Sequence, residues 1–505
     1  MLLTSTLQAG IFAVLTLTSH SLGSMVYEGG TIISFNETTE ELQVLRNASL
    51  LIENDRITGL FEGYLQAPAN VTRVDATDKI ISPGFIDTHH HLWQTAFKTI
   101  GSNTSLADYF QKFGEYGPAE EHFTTDDLYV GQLTGALELL YEGTTTVLDH
   151  AHASFSDATT DACVNATFDS GVRTFYAHAI HIIPNGYSWE SQISKLQSLA
   201  ADPRFAQTDP DSLISLGLGW DAFYNAPETN ITELWNNTRS LNLSVVTTHF
   251  LGGPFSDTNS PTALHSYEWL NDTVPIVFSH ASFMDYGDAD LLRQTNQYIS
   301  TTPESELHFG HNHPDAHLIQ DQAALGVDCH FTYSSSMVQQ ARLWLQTLRW
   351  PNYLVPLQNW QVPKNNPMSV QQAFYLITRA GGLALRRDDL GVIKVGAKAD
   401  FAIFRTDAPN MIGWSDPVAA IILHSDAGDI EDVLVDGKYV RKGGKLVYPD
   451  YTALRKRLTK SAERIQRIWT EEIEWPALSG VLTEGAAPYG EAEDIDTQRG
   501  DGTGY

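Results

Sequence analysis

Apolar and polar positions alternate along residues 26–83, which predicts short strands at 31–35, 48–53 and 56–60 with a turn at Glu53-Asn54-Asp55. The same period-two texture returns at 391–448, where Asp436-Gly437 is a hairpin signal. Between them the pattern changes. Apolar strands are predicted at 144–149, 172–178, 213–219, 244–249, 274–280, 297–302 and 325–331. Amphipathic helices are predicted at 126–142, 157–170, 191–201, 284–295, 316–325, 335–349 and 368–380. With an opening strand near residue 85 this makes eight strands, mostly separated by helices. That is the pattern of an α/β fold with a (β/α)8 TIM barrel. The two outer segments, 25–83 and 390–448, are expected to form one small β-sandwich domain, and 84–389 the barrel. A basic amphipathic helix is expected within 449–475, and the Gly- and acid-rich stretch 476–505 reads as a disordered tail.

In a barrel of this kind the chemistry sits at the C-terminal ends of the strands, and those ends are polar here. The opening strand runs Pro83-Gly84-Phe85-Ile86-Asp87-Thr88-His89-His90-His91. Side chains alternate across a strand, so His89 and His91 share one side and His90 takes the other. Two neutral imidazoles so placed can reach one divalent metal, at about 2.0–2.1 Å for zinc. Further on, Ser244-Val-Val-Thr-Thr-His249, Val274-Pro-Ile-Val-Phe-Ser-His280 and Leu325-Gly-Val-Asp328 also end in metal-grade or acid–base side chains. A single strand-end His or Asp is usually structural, but four such ends in barrel order carry more weight together. The polar loop after strand seven contains Glu306 and His311, and Trp93 and Gln94 follow the histidine run; these four are the candidate substrate contacts.

These motifs resemble the amidohydrolase superfamily, in the branch that includes cytosine deaminase, S-adenosylhomocysteine deaminase and the triazine hydrolases. The resemblance rests on Pro-Gly-Phe-Ile-Asp-Thr-His-x-His and on the later element Gly391-Val-Ile-Lys-Val-Gly-Ala-Lys-Ala-Asp-Phe-Ala. It implies metal ligands at His89, His91, His249 and Asp328, with His280 beside the reactive water and Asp328 as general base. Binuclear members add a lysine on strand four. The segment Leu216-Gly-Leu-Gly-Trp220 has none, so one divalent metal is expected: zinc first, with Fe(II) and Mn(II) also compatible with N/O ligands. The deaminases of the branch carry His-x-x-Glu on strand five, whereas this chain reads His249-Phe250-Leu251-Gly252. The expected reaction is hydrolysis of a non-peptide C–N bond in a small cyclic molecule. A lyase, decarboxylase or dehydratase on the same scaffold and an inactive binding protein are the alternatives.

Composition narrows the partners and the compartment. The 505 residues carry a formal charge of -30, which leaves no basic stripe for nucleic acid and disfavours anionic membranes. A small-molecule substrate and a homodimer are expected. Two cysteines, Cys163 and Cys329, exclude a disulfide framework, and Cys329 reads as a small buried hydrophobe. Residues 1–24 read as a signal peptide with an apolar run at 10–17, too short to span a membrane. Nine Asn-x-Ser/Thr sequons, where about three are expected by chance, point to a secreted glycoprotein. A start at Met25 would instead leave the protein in the cytoplasm.

Overall fold

A computed structural model describes residues 23–495, apart from 37–38, 40, 65–69, 183–184, 206–208, 210, 272, 312–315, 484 and 494. The segment read as a signal peptide lies almost wholly outside the described residues. The first five strands are β1 (Met25–Phe35), β2 (Leu42–Glu53), β3 (Arg56–Glu62), β4 (Thr72–Asp75) and β5 (Lys79–Pro83). The last four are β14 (Phe401–Arg405), β15 (Ile430–Val435), β16 (Lys438–Lys442) and β17 (Lys445–Leu446). They join into one nine-stranded mixed sheet, because β5 pairs antiparallel with β14 in the register Ile81↔Ile403. The two ends of the chain thus build one small domain, as their shared texture predicts. Its strands form one continuous hydrogen-bonded ladder.

The barrel strands are β6 (Phe85–His90), β7 (Thr144–Ala151), β8 (Arg173–Ala179), β9 (Ile214–Gly219), β10 (Val246–Leu251), β11 (Ile276–Ser282), β12 (Tyr298–Thr301) and β13 (Ala323–Leu325). Neighbours in this order pair in parallel. Every described position of β7 and β8 is buried, as a parallel sheet covered by helices requires. The barrel closes through residues of the predicted site. Asp328 N–H donates to the His89 carbonyl at 2.8 Å, and His91 N–H donates to the Asp328 carbonyl at 3.3 Å.

Three expectations are corrected. The eighth strand is Ala323–Leu325, not 325–331. Gly326 lies so close to β6 that a Cβ there would sit 2.8 Å from the His89 backbone, and the chain then turns through Asp328 at φ 71°. Glu228–Ser240 and Pro303–Phe309 are helices that the apolar pattern did not predict. The tail is also ordered over much of its length. After the helix Tyr451–Arg467, residues 480–489 fold back on themselves, with Tyr489 N–H donating to the Gly480 carbonyl at 3.1 Å. This segment fastens to the turn after β10: Ala487 N–H donates to the Pro254 carbonyl, and Ser256 Oγ–H to the Gly485 carbonyl, both at 2.9 Å. Residues 496–505 lie outside the described residues.

Ion pairs made by two buried cations fasten the barrel to the sheet domain. The Arg173 guanidinium on β8 pairs with Asp400 at 2.8 Å and also with Asp436. Lys398 is fully buried against Asp55 at 2.7 Å and Asp211 at 3.0 Å. Among the described residues no helix is long and apolar enough to cross a membrane.

Candidate metal centre

His89, His91, His249, His280 and Asp328 converge at the C-terminal mouth of the barrel. His90 does not join them. It points outward into a buried chain from Asp87 (2.7 Å) through His90 to His330 (3.1 Å) and Thr95 (2.9 Å from His330). The alternation along β6 thus separates a structural histidine from two candidate ligands.

Each converging imidazole is held by its Nδ1 and presents its Nε2 to the centre. His89 Nδ1 bonds Ser279 Oγ at 2.7 Å, and its Nε2 is buried without a hydrogen-bond partner. His91 Nδ1–H donates to the His150 carbonyl at 2.9 Å. His249 Nδ1–H donates to Asp221 Oδ2 at 3.0 Å. Asp328 Oδ1 lies 3.3 Å from His89 Nε2 and 3.1 Å from His91 Nε2, and His249 Nε2 lies 3.3 Å from His91 Nε2. Ligands at the corners of a tetrahedron with bonds of about 2.0–2.1 Å stand about 3.3 Å apart. These three spacings fit side chains that share a single metal ion, and the outer partners fix each ring as in known metal sites.

The electrostatics favour ligation at His89 and Asp328, while at His249 a metal would have to displace a proton. Burial pushes His89 well below its ordinary range, so it stays neutral and able to ligate. Burial opposes ionisation of Asp328, but the His89 and His91 rings beside it outweigh that and keep the carboxylate charged. Burial acts to lower His249 as well, yet the Asp221 carboxylate holds it up at about 9. His280 is pushed down to about 3 by burial; its Nδ1 is tied to Thr302 Oγ1 at 2.9 Å and its Nε2 lies 4.0 Å from Asp328. Cys329 Sγ approaches Asp328 at 3.3 Å, but burial and that carboxylate push the thiol well up, so it remains a protonated side chain of the wall. The backbone is held in the left-handed region at both His280 (φ 66°) and Asp328 (φ 71°), a conformation that costs energy and concentrates at functional sites.

The centre opens into a cavity of about 320 Å³. Of the four candidate substrate contacts, His311 lines it. The other three sit behind the wall. Trp93 is fully buried and donates its Nε1–H to His152 at 3.0 Å. Gln94 donates to the Tyr109 hydroxyl and the Phe113 carbonyl, both at 3.1 Å. Glu306 accepts the Thr302 N–H at 2.8 Å and stands 3.6 Å from His280 Nδ1, so it orients that histidine from outside.

Several residues of the site escaped the sequence reading. Asp221 lies two residues past the end of β9 and holds both His249 and His150, the latter at 3.1 Å; its place just past an apolar strand was the available signal. Glu115 and Asp257 line the cavity from loops with no periodic pattern. Leu482 and Thr483, from the tail, also line it.

Comparison with known proteins agrees with this geometry. The chain is 25% identical to a 5'-deoxyadenosine deaminase of Methanobrevibacter smithii over 428 residues, covering 83% of this chain and 94% of the relative. It is 23% identical to a 5-methylthioadenosine/S-adenosylhomocysteine deaminase of Thermoanaerobacter pseudethanolicus, covering 84% and 96%. Its fold matches that of the atrazine chlorohydrolase of Arthrobacter aurescens complexed with zinc, with a TM-score of 0.75 at 18% identity over 87% of this chain and 100% of the other. It also matches that of an adenosine deaminase from Xanthomonas campestris with bound zinc, with a TM-score of 0.74 at 18% identity over 88% and 98%. The amidohydrolase family model matches residues 80–202 and 246–440, which together span the strand ends that carry the centre; the chain belongs to the amidohydrolase family.

Proposed function

We propose that the protein is a zinc-dependent hydrolase that cleaves a non-peptide C–N bond of a small cyclic molecule, as a deaminase does. The observation that carries this reading is the convergence of His89, His91, His249 and Asp328 at contacts of 3.1–3.3 Å, together with the neutral His280 beside them. The nitrogen and oxygen donors suit zinc, and the two similar solved structures named above hold it. When bound, the metal makes a water molecule acidic enough to lose a proton near neutral pH. The chain's own residues do the rest. Asp328 accepts that proton on a carboxylate steadied by Ser305 Oγ–H at 2.5 Å. His280, oriented through Thr302 and Glu306, hydrogen-bonds the oxygen that gains charge as the water attacks. The proton on Asp328 then passes to the departing nitrogen. This route uses no carboxylate at the position of Gly252, so the absent strand-five glutamate does not block it.

Metal analysis and one variant test the reading. The purified protein is expected to hold one zinc per chain, and Asp328→Asn to lose at least about a thousandfold in kcat with its circular dichroism unchanged. Hydrolysis that survives in Asp328→Asn would overturn the assignment.

We also propose that the chain passes through the secretory pathway. Of its nine sequon asparagines, seven are exposed and the other two, Asn230 and Asn271, are half-buried. Expression in a secreting eukaryotic host should give a product whose mobility increases on enzymatic deglycosylation; an unchanged band there would count against it.

A further inference from the structure

The end of the chain crosses the mouth of the cavity. Trp475 Nε1–H donates to the Trp469 carbonyl at 3.0 Å and marks where the strap 476–489 departs from the helical segment before it. The Pro476 carbonyl then accepts the Gln111 Nε2–H at 3.0 Å, on the helix Leu106–Lys112. Further on, the turn Pro254–Ser256 holds the strap at Gly485 and Ala487, both at 2.9 Å. Each anchor point belongs to a wall of the cavity. Tyr109 and Phe110 line it from the first, and Phe255 from the second. Between the anchors, Leu482 and Thr483 line the cavity themselves. The strap therefore spans the opening from one wall to the other.

Little holds the strap down. Among its described residues none is buried, and Val481 is 46% exposed, so lifting it uncovers little apolar surface. The anchors are hydrogen bonds to strap backbone atoms, which water replaces at small net cost. Tyr489 N–H on the Gly480 carbonyl, and the antiparallel pairing of Val481 with Pro488, tie the two ends of the loop together. Gly480 at φ 87° and Gly485 at φ 90° flank Leu482 and Thr483, and a Cβ at Gly480 would meet nothing within 4 Å, so the backbone there is free to turn. The cavity behind holds about 320 Å³, at the small end of ligand cavities. A cover over such a site keeps bulk water out during reaction and opens for each entry and exit.

We propose that residues 476–489 are a lid over the substrate cavity, and that Leu482 is a specificity-determining residue that limits the size of what the lid closes on. The size limit rests on the reading of the cavity as the substrate site of a metal-dependent hydrolase.

Two experiments test it. In the first the lid is latched. A Cβ at Gly485 would lie 4.0 Å from Ser256 Cβ, inside the range of about 3.5–4.5 Å that a disulfide spans. Ser256→Cys combined with Gly485→Cys is therefore locked by oxidation and freed by a phosphine reductant. The freed form carries the same strain at position 485 and is the control. On the zinc-loaded protein, extraction of the metal by 1,10-phenanthroline should be at least tenfold slower in the oxidised form. Equal rates overturn the lid, and failure of the disulfide to form overturns the strap's placement. Hydrogen exchange of the parent protein checks the lid without metal: the amides of Ala487 and Tyr489 should exchange at least a hundredfold faster than those of β10, and equal protection overturns it. The second experiment is calorimetric binding of acetohydroxamate and 2-naphthohydroxamate, two metal-binding probes of different size, to the zinc-loaded protein. Leu482→Ala should bind the naphthyl probe at least tenfold more tightly than the parent does, and the acetyl probe equally. The same change for both probes, or none for either, overturns the size limit. A protein that takes up no zinc but whose strap amides exchange fast would overturn the hydrolase reading and the size limit with it, and leave the lid standing.

Discussion

Asp221 shows how much of the centre depends on residues that touch no metal. It fixes His249 by its ring Nδ1 and its backbone N–H, and it reaches His150 as well. Asp221→Ala should therefore weaken metal binding by about 10–100-fold without removing a ligand, measured by competition with a chromophoric chelator. His89 and His91 were legible in the sequence because a strand's alternation assigns them one side before any fold is known. Asp221 was not, because a single Asp after Trp220 looks like any solvated strand end. Glu306 was placed on the substrate side because its polar segment after strand seven reads as a loop at the barrel mouth. In the structure Pro303 is at the first turn of a helix, where a proline fits, and Glu306 turns back to the Thr302 N–H.

At the scale of elements, strands with β-branched runs and helices with clear stripes were legible, and those defined by tertiary context were not. The helix Asp157–Ser170 matches its predicted bounds, set by the Ser156 cap and by Gly171 at φ 80°. The helix Glu228–Ser240 is largely polar, and four of its residues are buried, too few to make a stripe. Strand β13 is cut short by the close approach of Gly326 to β6, which no local pattern records. The contact between the two domains gives two predictions. Arg173→Ala leaves Asp400 and Asp436 without their guanidinium, so it should cost about 3–5 kcal/mol in a denaturant titration. Asp389 is the second. Burial opposes its ionisation, but Arg387 and Arg56 hold its carboxyl down at about 2, against 3.8 when unfolded. That contribution is complete above the unfolded value and is lost as pH falls towards 2. Asp389→Asn should lower the Tm at pH 7 and flatten its fall between pH 4 and 2.

For the whole molecule, the barrel closes through backbone bonds of His89, His91 and Asp328, so the centre and the fold's integrity are linked. A metal present at a hundred times its Kd adds about 2.7 kcal/mol to stability. Chelation should accordingly lower the Tm, and restored zinc should recover it; an unchanged Tm would separate the centre from the barrel's closure. The arrangement of barrel and appended sheet was legible because the two β-rich textures bracket a long βα alternation. The end of the chain was not, since a segment poor in large apolar residues gives no sign that it will be pinned to a turn such as Pro254–Ser256. That pinning has a practical side. Leu482 and Thr483 reach the substrate cavity from within the last 25 residues of the chain, whereas the family match ends at 440. A preparation clipped before Leu482 is thus one with an altered substrate cavity.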